Sequence, residues 1–492
     1  MQGDLTLLLP VAVPLAAGLI VCFFKALDTR RARNLFTGAA LAATMLCTLP
    51  ALFRGETQLT LFYLTDTIPV LLKADGIAKL FTALIAFVWA MVGFYSFEYM
   101  AHEQNERRFY AFYLLTLAAL MGLSLSGTIV TLYMFYEAMT LLSLPLVLHT
   151  QTKEAIAAGI KYLIYSVFGA SLALLGIFFL QFYCTGLTFT PGGALDMARV
   201  AGHEPLLLLV VMLMILGFGV KAGMFPMHAW LPTAHPVAPS PASAVLSGVI
   251  TKAGVLGILR VVFFLVGPDF LRGTWVQGLS MGLALVTVFL GSMLAFKESL
   301  LKKRLAYSTV SQVSYVLFGL FTLTPLGFVG ALLHVVCHSL IKNTLFMGAG
   351  AIIEKTGKTS ADELTGIGKQ MPIVIWCFTL VSVALIGIPP TGGFVSKWYL
   401  ANGSLSMGAG VYAWLGPVVL LVSALLTAGY LLPISTRGFF PGDKADLAAL
   451  PKAEPTALMT VPMIALTALA VLIGMFPGTF ISFFLSIAGS VL

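Results

Sequence analysis

Apolar runs of about twenty residues follow one another along almost the whole of this chain, and that is the length a helix needs to cross the hydrocarbon core of a bilayer. In lipid every backbone polar group must be satisfied internally, so such a chain is confined to a helical bundle. Fourteen spans are predicted, near residues 4–24, 35–53, 76–97, 110–124, 126–148, 157–183, 205–230, 241–265, 276–296, 306–323, 327–351, 372–399, 411–436 and 457–486. Only 10% of the 492 residues are charged and 59% are hydrophobic, whereas a soluble domain carries about 25% charged residues. The polar material for a water-facing surface is missing. No polar linker divides the chain, so one all-α transmembrane domain over 1–492 is expected.

Lysine and arginine in the connecting loops orient the spans. With the N-terminus placed outside, the inner loops hold Lys25, Arg30, Arg31, Arg33, Arg107, Arg108, Lys153, Lys297, Lys302, Lys303, Arg304, Lys355, Lys358, Lys369, Arg437, Lys444 and Lys452. The outer segments hold only Arg54, Lys73, Arg199 and Arg272. Dropping one span would scramble this separation. The expectation is a multi-pass protein of a prokaryotic inner membrane, with both termini outside. The net charge of +8 is thereby explained by topology, and no basic-aromatic patch suggests nucleic acid. The first apolar run has no basic residue before it and no small-residue cleavage site, so it reads as a retained helix.

Subtracting the loop charges leaves seven basic residues inside spans: Lys79, Lys161, Lys221, Lys252, Arg260, Lys342 and Lys397. Glu137, His334 and His338 join them. A charge at a bilayer centre costs about 2.5–3.5 kcal/mol on insertion scales, so such residues face a protein interior or water and mark ion paths. Lys79 and Arg260 lie near predicted helix ends and read as snorkelling side chains.

Glu137 is the one acidic residue well inside a span. A carboxylate there is expected to pair with a buried lysine, which couples the charge states of the two. Lys221 precedes Pro226, and a proline interrupts a helix by removing a hydrogen bond and clashing with the turn before it. Five prolines fall within residues 226–241, and His228 and His235 lie in this stiff connection. Lys252 sits half-way along the next span. His334, His338 and Lys342 recur every fourth residue and so form one polar stripe. A zinc site would need a third ligand, and none stands out in the sequence; a proton relay suits histidine, which titrates near neutral pH. Lys397 follows Pro389, Pro390, Gly392 and Gly393, a second broken helix with a buried lysine beside it. The two breaks are five spans apart, which inverts one copy against the other. Inverted five-helix repeats over about 110–265 and 276–436 are expected, flanked by 4–97 and 457–486.

Five cysteines, Cys22, Cys47, Cys184, Cys337 and Cys377, form no CxxC pair, which argues against iron–sulfur, zinc or disulfide chemistry. No cofactor and no redox step are expected in the chain itself.

These motifs, taken in order, resemble the antiporter-like subunits shared by respiratory complex I, Mrp-type sodium/proton antiporters and membrane-bound hydrogenases. The likeness rests on Glu137, the stretch from Lys221 to Pro232, the run Ala238–Ala244 leading to Lys252, the His334–Lys342 stripe, and Gly387 to Lys397. It implies that Glu137 and Lys221 form a modulating ion pair. It implies that Lys252 is the central carrier, that His334 and His338 continue the relay with Lys342 on their stripe, and that Lys397 is the exit-side group. Lys161 falls where such proteins often carry a polar residue. The resemblance also implies a place among other membrane subunits, homologous ones included, in an Mrp-type antiporter or an oxidoreductase of the NADH:quinone or hydrogenase type. The segment Phe394–Leu400 looks closest to the D-type Mrp and hydrogenase subunits. Two rival readings remain open: a stand-alone secondary transporter, and a passive membrane anchor of a redox arm.

Overall fold

The computed structural model describes residues 2–408, 410–442 and 451–492, so the inner-loop Lys444 lies outside them. In chain order its main helices are α1 (Leu9–Phe23), α2 (Arg30–Phe53), α3 (Gly76–Tyr99), α4 (Glu106–Ser124), α5 (Ile129–Val147), α6 (Lys153–Tyr183), α7 (Glu204–Ala222) and α8 (Ser240–Val266). Then come α9 (Trp275–Lys297), α10 (Leu301–Phe321), α11 (Pro325–Thr356), α12 (Pro372–Ile386), α13 (Gly392–Leu405), α14 (Val411–Phe439), α15 (Ala457–Met475) and α16 (Gly478–Val491). Among the described residues eleven helices are long and apolar enough to cross a membrane. The other three expected spans correspond to α4 and α10, which carry charges in their first turn, and to the interrupted pair α12–α13.

Helix starts follow local chemistry. Thr128, Thr152 and Thr324 each precede an apolar run, and each hydroxyl accepts a backbone N–H of the first turn, at 3.0, 3.1 and 3.2 Å. That satisfies a donor that would otherwise be orphaned.

The loops fall into two sets, each bonded within itself. On the face assigned outside, three short strands form an antiparallel sheet: β1 (Gln2–Gly3), β2 (Gln58–Thr65) and β3 (Ile68–Lys73). The expected all-helical pattern missed this hairpin. Its neighbours extend the pairing, with Gly127 N–H donating to the Leu71 carbonyl at 2.8 Å and Ala194 N–H to that of Leu265 at 2.7 Å. On the opposite face Arg107 meets Asp28 at 2.6 Å, Leu301 N–H donates to the Thr359 carbonyl at 2.9 Å, and Gly366 N–H to that of Arg437 at 3.0 Å. These are the loops that the lysine and arginine count grouped together.

Helices α8 and α11 form the centre. The apolar window of α8 is 100% buried and that of α11 89%, against 39% for α6 and α14 at the rim. A helix apolar all round belongs in the interior. Lys252 therefore stands in the middle of the protein, as do His334, His338 and Lys342 on the facing helix.

Two helices break, and a third break was not expected. α7 stops at Ala222, where Gly223 takes φ +76°, so the predicted span 205–230 loses its last turns to an irregular connection. α12 stops at Ile386, with Gly387 at φ +92°, and α13 restarts at Gly392. The peptide bonds Phe225–Pro226 and Pro389–Pro390 are cis. At Gly393 any side chain is excluded, because a Cβ would stand 1.7 Å from the Ala384 carbonyl oxygen. The predicted single span 457–486 is α15 and α16, parted at Phe476 and Pro477, because proline ends the hydrogen-bond ladder there.

Arg260 does not snorkel. It is 1% exposed and bonds both oxygens of Asp75, at 2.6 and 2.8 Å, while Phe189 and Phe264 cover its guanidinium at 4.7 and 4.5 Å. Sequence position placed it near a helix end; the partner that keeps it buried is 185 residues away. Lys79, by contrast, is half-buried and reaches the Arg54 carbonyl at 2.6 Å, as expected of a lysine near a helix start.

Candidate proton-relay site

The last turn of α7 carries Lys221 fully into the interior. Its ammonium donates to three hydroxyls, Thr140 at 3.0 Å, Tyr162 at 3.0 Å and Ser166 at 2.8 Å. The Tyr162 ring lies 4.4 Å beneath it. The break is held shut next door, where Trp230 Nε1 donates to the Val220 carbonyl at 2.8 Å. Among the described residues no carboxylate lies within 4.0 Å of Lys221, so the expected ion pair with Glu137 is not a direct contact. Glu137 is within electrostatic reach of Lys221 but half-buried, on the same face of α5 as the exposed Met134 and Leu141. One of its oxygens, Oε1, is buried without a hydrogen-bond partner. Sequence periodicity could not tell that this glutamate looks sideways out of the bundle.

Lys161 on α6 is half-buried and donates to Thr233 of the connection after the break, at 3.0 Å. His228, in the same connection, stacks on Phe225 at 6.0 Å.

At Lys252 the helix itself is modified. A π-helical turn, Leu246–Ile250, immediately precedes it. Such turns leave carbonyls off the regular ladder and concentrate at functional sites. The Ser247 carbonyl accepts from Lys252 Nζ at 2.7 Å and from the Thr251 hydroxyl at 2.8 Å. Lys252 Nζ also lies 2.7 Å from His338 Nδ1. An ammonium donating there requires that Nδ1 accept, which puts the imidazole proton on Nε2. That Nε2 is buried without a protein partner. His338 stacks on His334 at 6.0 Å. His334 in turn has Gln312 Oε1 3.2 Å from Nε2 and Ser396 Oγ 2.9 Å from Nδ1. The two imidazoles thus meet different partners, a lysine at His338 Nδ1 and a serine at His334 Nδ1.

Ser396 is the residue before Lys397, so the relay ends where the second broken helix begins. Lys397 Nζ donates to the Leu385 and Ile386 carbonyls, at 2.6 and 3.0 Å. It thus caps α12, whose last carbonyls have no partner of their own. The Tyr315 ring lies 4.9 Å away. Lys397 also lines a lateral cleft of about 310 Å³ with Phe394, Trp398 and Leu421. Lys342 is on the same helix as the histidines but turns to α10, where it donates to the Leu305 carbonyl at 3.0 Å and to Ser308.

The fold thus joins Lys252, His338, His334 and Ser396 in one buried line, with Lys221 and Lys397 standing at the two breaks on either side. Tyr162, Ser166, Gln312 and Ser396 escaped the sequence reading. Polar uncharged residues are common in spans, and only contact singles these out.

Residues 126–427 match the family described as NADH:quinone oxidoreductase/Mrp antiporter, TM, and residues 64–110 match the N-terminal segment of complex I chain 5. The chain is 32% identical to the N-type subunit of the NADH-quinone oxidoreductase of Desulforudis audaxviator, over 97% of this chain and 96% of that one. It is 28% identical to the D-type subunit of the Na(+)/H(+) antiporter of Bacillus subtilis, over 89% and 87%. A chain of the Mrp complex from a Dietzia species superimposes with a TM-score of 0.84 at 20% identity, over 99% of this chain and 98% of that one. This protein is therefore an antiporter-like, multi-pass membrane subunit of the family shared by complex I and Mrp antiporters. Identity over the whole chain does not set the D-type apart, as the segment Phe394–Leu400 had suggested.

Proposed function

We propose that this chain translocates protons as one subunit of a multisubunit membrane complex, in a prokaryotic inner membrane with both termini outside. The observation that carries the reading is the polar line from Lys252, hydrogen-bonded to His338, across the His338–His334 ring stack to Ser396, hydrogen-bonded to His334, all fully buried between two broken helices. A passive anchor has no use for buried lysines, each of which costs about 2.5–3.5 kcal/mol to insert. Protons arrive at Lys221 from the inner side, pass to Lys252 and the histidines, and leave at Lys397. Glu137 modulates Lys221 through its field rather than by contact.

The two halves, about 110–265 and 276–436, act as inverted repeats in which α7 and α12 correspond. Both stop at a glycine in the left-handed region, and both place a lysine at the break. Irregular backbone between inverted halves is where transporters of this build bind their ions.

Glu137 also supports the partner reading. Its side chain is half-buried on an apolar side wall, with Met134 and Leu141 exposed beside it. A neighbouring membrane subunit would cover this half-buried carboxylate and the apolar side chains around it, and homologous subunits in the complexes of its relatives are the fitting class of partner.

Vesicles containing the whole complex test this reading, with a pH-sensitive dye reporting proton movement. Glu137→Gln should slow translocation about tenfold, the effect of 1–2 kcal/mol of lost charge interaction, with subunits still copurifying. Full activity of the purified chain alone would instead favour the stand-alone transporter. Unchanged translocation in Lys221→Ala and Lys252→Ala would favour the passive anchor.

A further inference from the structure

The polar stripe of α11 does not stop at Lys342. The same four-residue step leads on through Phe346 and Gly350 to Glu354 at the opposite end of the helix. Each step drifts about 40° around the helix axis, so the stripe winds as it goes. It faces α13 at His334, α8 at His338 and α10 at Lys342. Beyond Lys342 it meets the proline-rich connection and then α3.

At Phe346 the stripe carries His235, stacked at 4.7 Å. His235 is 0% exposed, and neither ring nitrogen has a partner. Its charged neighbours are Lys342 on one side and Lys302 on the other. At Gly350 the wall is formed by Ser240 and Tyr95: a Cβ on the glycine would lie 2.3 Å from Ser240 Cβ and 2.6 Å from the Tyr95 hydroxyl. The Ser240 hydroxyl is fully buried. Tyr99 stands beside Ser240 and stacks on Tyr95 at 6.0 Å. One turn further, Glu354 Oε1 meets the exposed His102 at 3.0 Å and Lys355 at 3.2 Å, and Lys355 meets Glu98 at 3.0 Å. Glu354 Oε2 is buried without a partner. Glu103 completes the charges here and faces Lys302.

A cluster that only stapled α3 to α11 would satisfy its own atoms. This one leaves Glu354 Oε2 and both His235 nitrogens orphaned, with the Tyr99 and Ser240 hydroxyls side by side between them. Buried polar groups are nearly always paired, with ordered water where protein is lacking.

We propose that Glu354, with His102, Glu98 and Lys355 around it, collects protons at the inner surface, and that Tyr99, Ser240 and His235 guide them to Lys342. The relay thereby has a second inlet, separate from the one at Lys221. This rests on the proton-translocating reading and on the orientation proposed above.

The test uses the whole complex in vesicles of both orientations, with Ser240→Cys placed in a Cys22→Ser, Cys47→Ser background. A membrane-impermeant methanethiosulfonate should label Cys at 240 from the inner face only, and labelling should slow translocation. Labelling from neither face overturns the inlet. Labelling from the outer face alone overturns the orientation and leaves the route standing. Glu354→Gln should lower proton uptake about tenfold at alkaline inner pH, the low end of what a charged funnel adds to a cation's on-rate. Glu354→Asp should restore it. Equal loss in both variants at every pH, with a lowered unfolding midpoint, would mean a staple and overturn the proposal.

Discussion

Lys252→Arg should abolish proton translocation while the complex still assembles. Arginine keeps the positive charge but does not release its proton in proteins. If position 252 serves only as a fixed charge beside His338, the variant retains activity. If it carries the proton, the step into the histidine line is lost. A positioned acid–base group contributes about 10²–10⁴-fold, so translocation should fall by at least about a hundredfold. Lys252→Met is the control for folding. It removes a charge whose burial costs about 2.5–3.5 kcal/mol. It also strands His338 Nδ1, at about 1–3 kcal/mol, while the Ser247 carbonyl keeps the Thr251 hydroxyl. The two effects nearly cancel, so Met should be inactive but close to wild-type in stability. Dye-monitored proton movement and native electrophoresis of the same vesicles check both parts. An active Lys252→Arg would sink the carrier role.

The second large effect concerns stability. Arg260→Met should destabilise the protein by about 3–5 kcal/mol, because it leaves the Asp75 carboxylate buried without its partner. Asp75 also accepts the Ala78 N–H at 2.9 Å at the start of α3, a cap worth about 1 kcal/mol. The double variant Asp75→Leu, Arg260→Met should recover most of the loss, less that cap, since replacing a whole buried pair with apolar residues is often neutral. Thermal unfolding of the three purified complexes in nanodiscs measures this. Equal losses in the single and double variants would mean that the pair is not what holds α8 against α3.

Much of the site was legible in the sequence. A lysine inside an apolar run is conspicuous because the bilayer penalises it, so Lys161, Lys221, Lys252, Lys342 and Lys397 announced themselves by cost alone. His334, His338 and Lys342 were readable as one stripe because helical spacing is regular. The loop charges were readable too, and the two bonded sets of loops follow the same alternation. The hairpin of β2 and β3 was not, because in a chain this apolar a short strand between spans carries no distinct signal.

What the sequence determined by itself is therefore which groups had to be hidden, and in what order along the chain they occur. That follows from a local cost, set residue by residue against lipid. Which partners they meet was decided only by the tertiary structure. Lys221 rests on three hydroxyls and not on Glu137; Arg260 finds Asp75 instead of snorkelling; Lys397 caps the helix before its own. Each of these contacts joins distant segments or spans a break, and the energy that selects it is short-ranged in space, not along the chain.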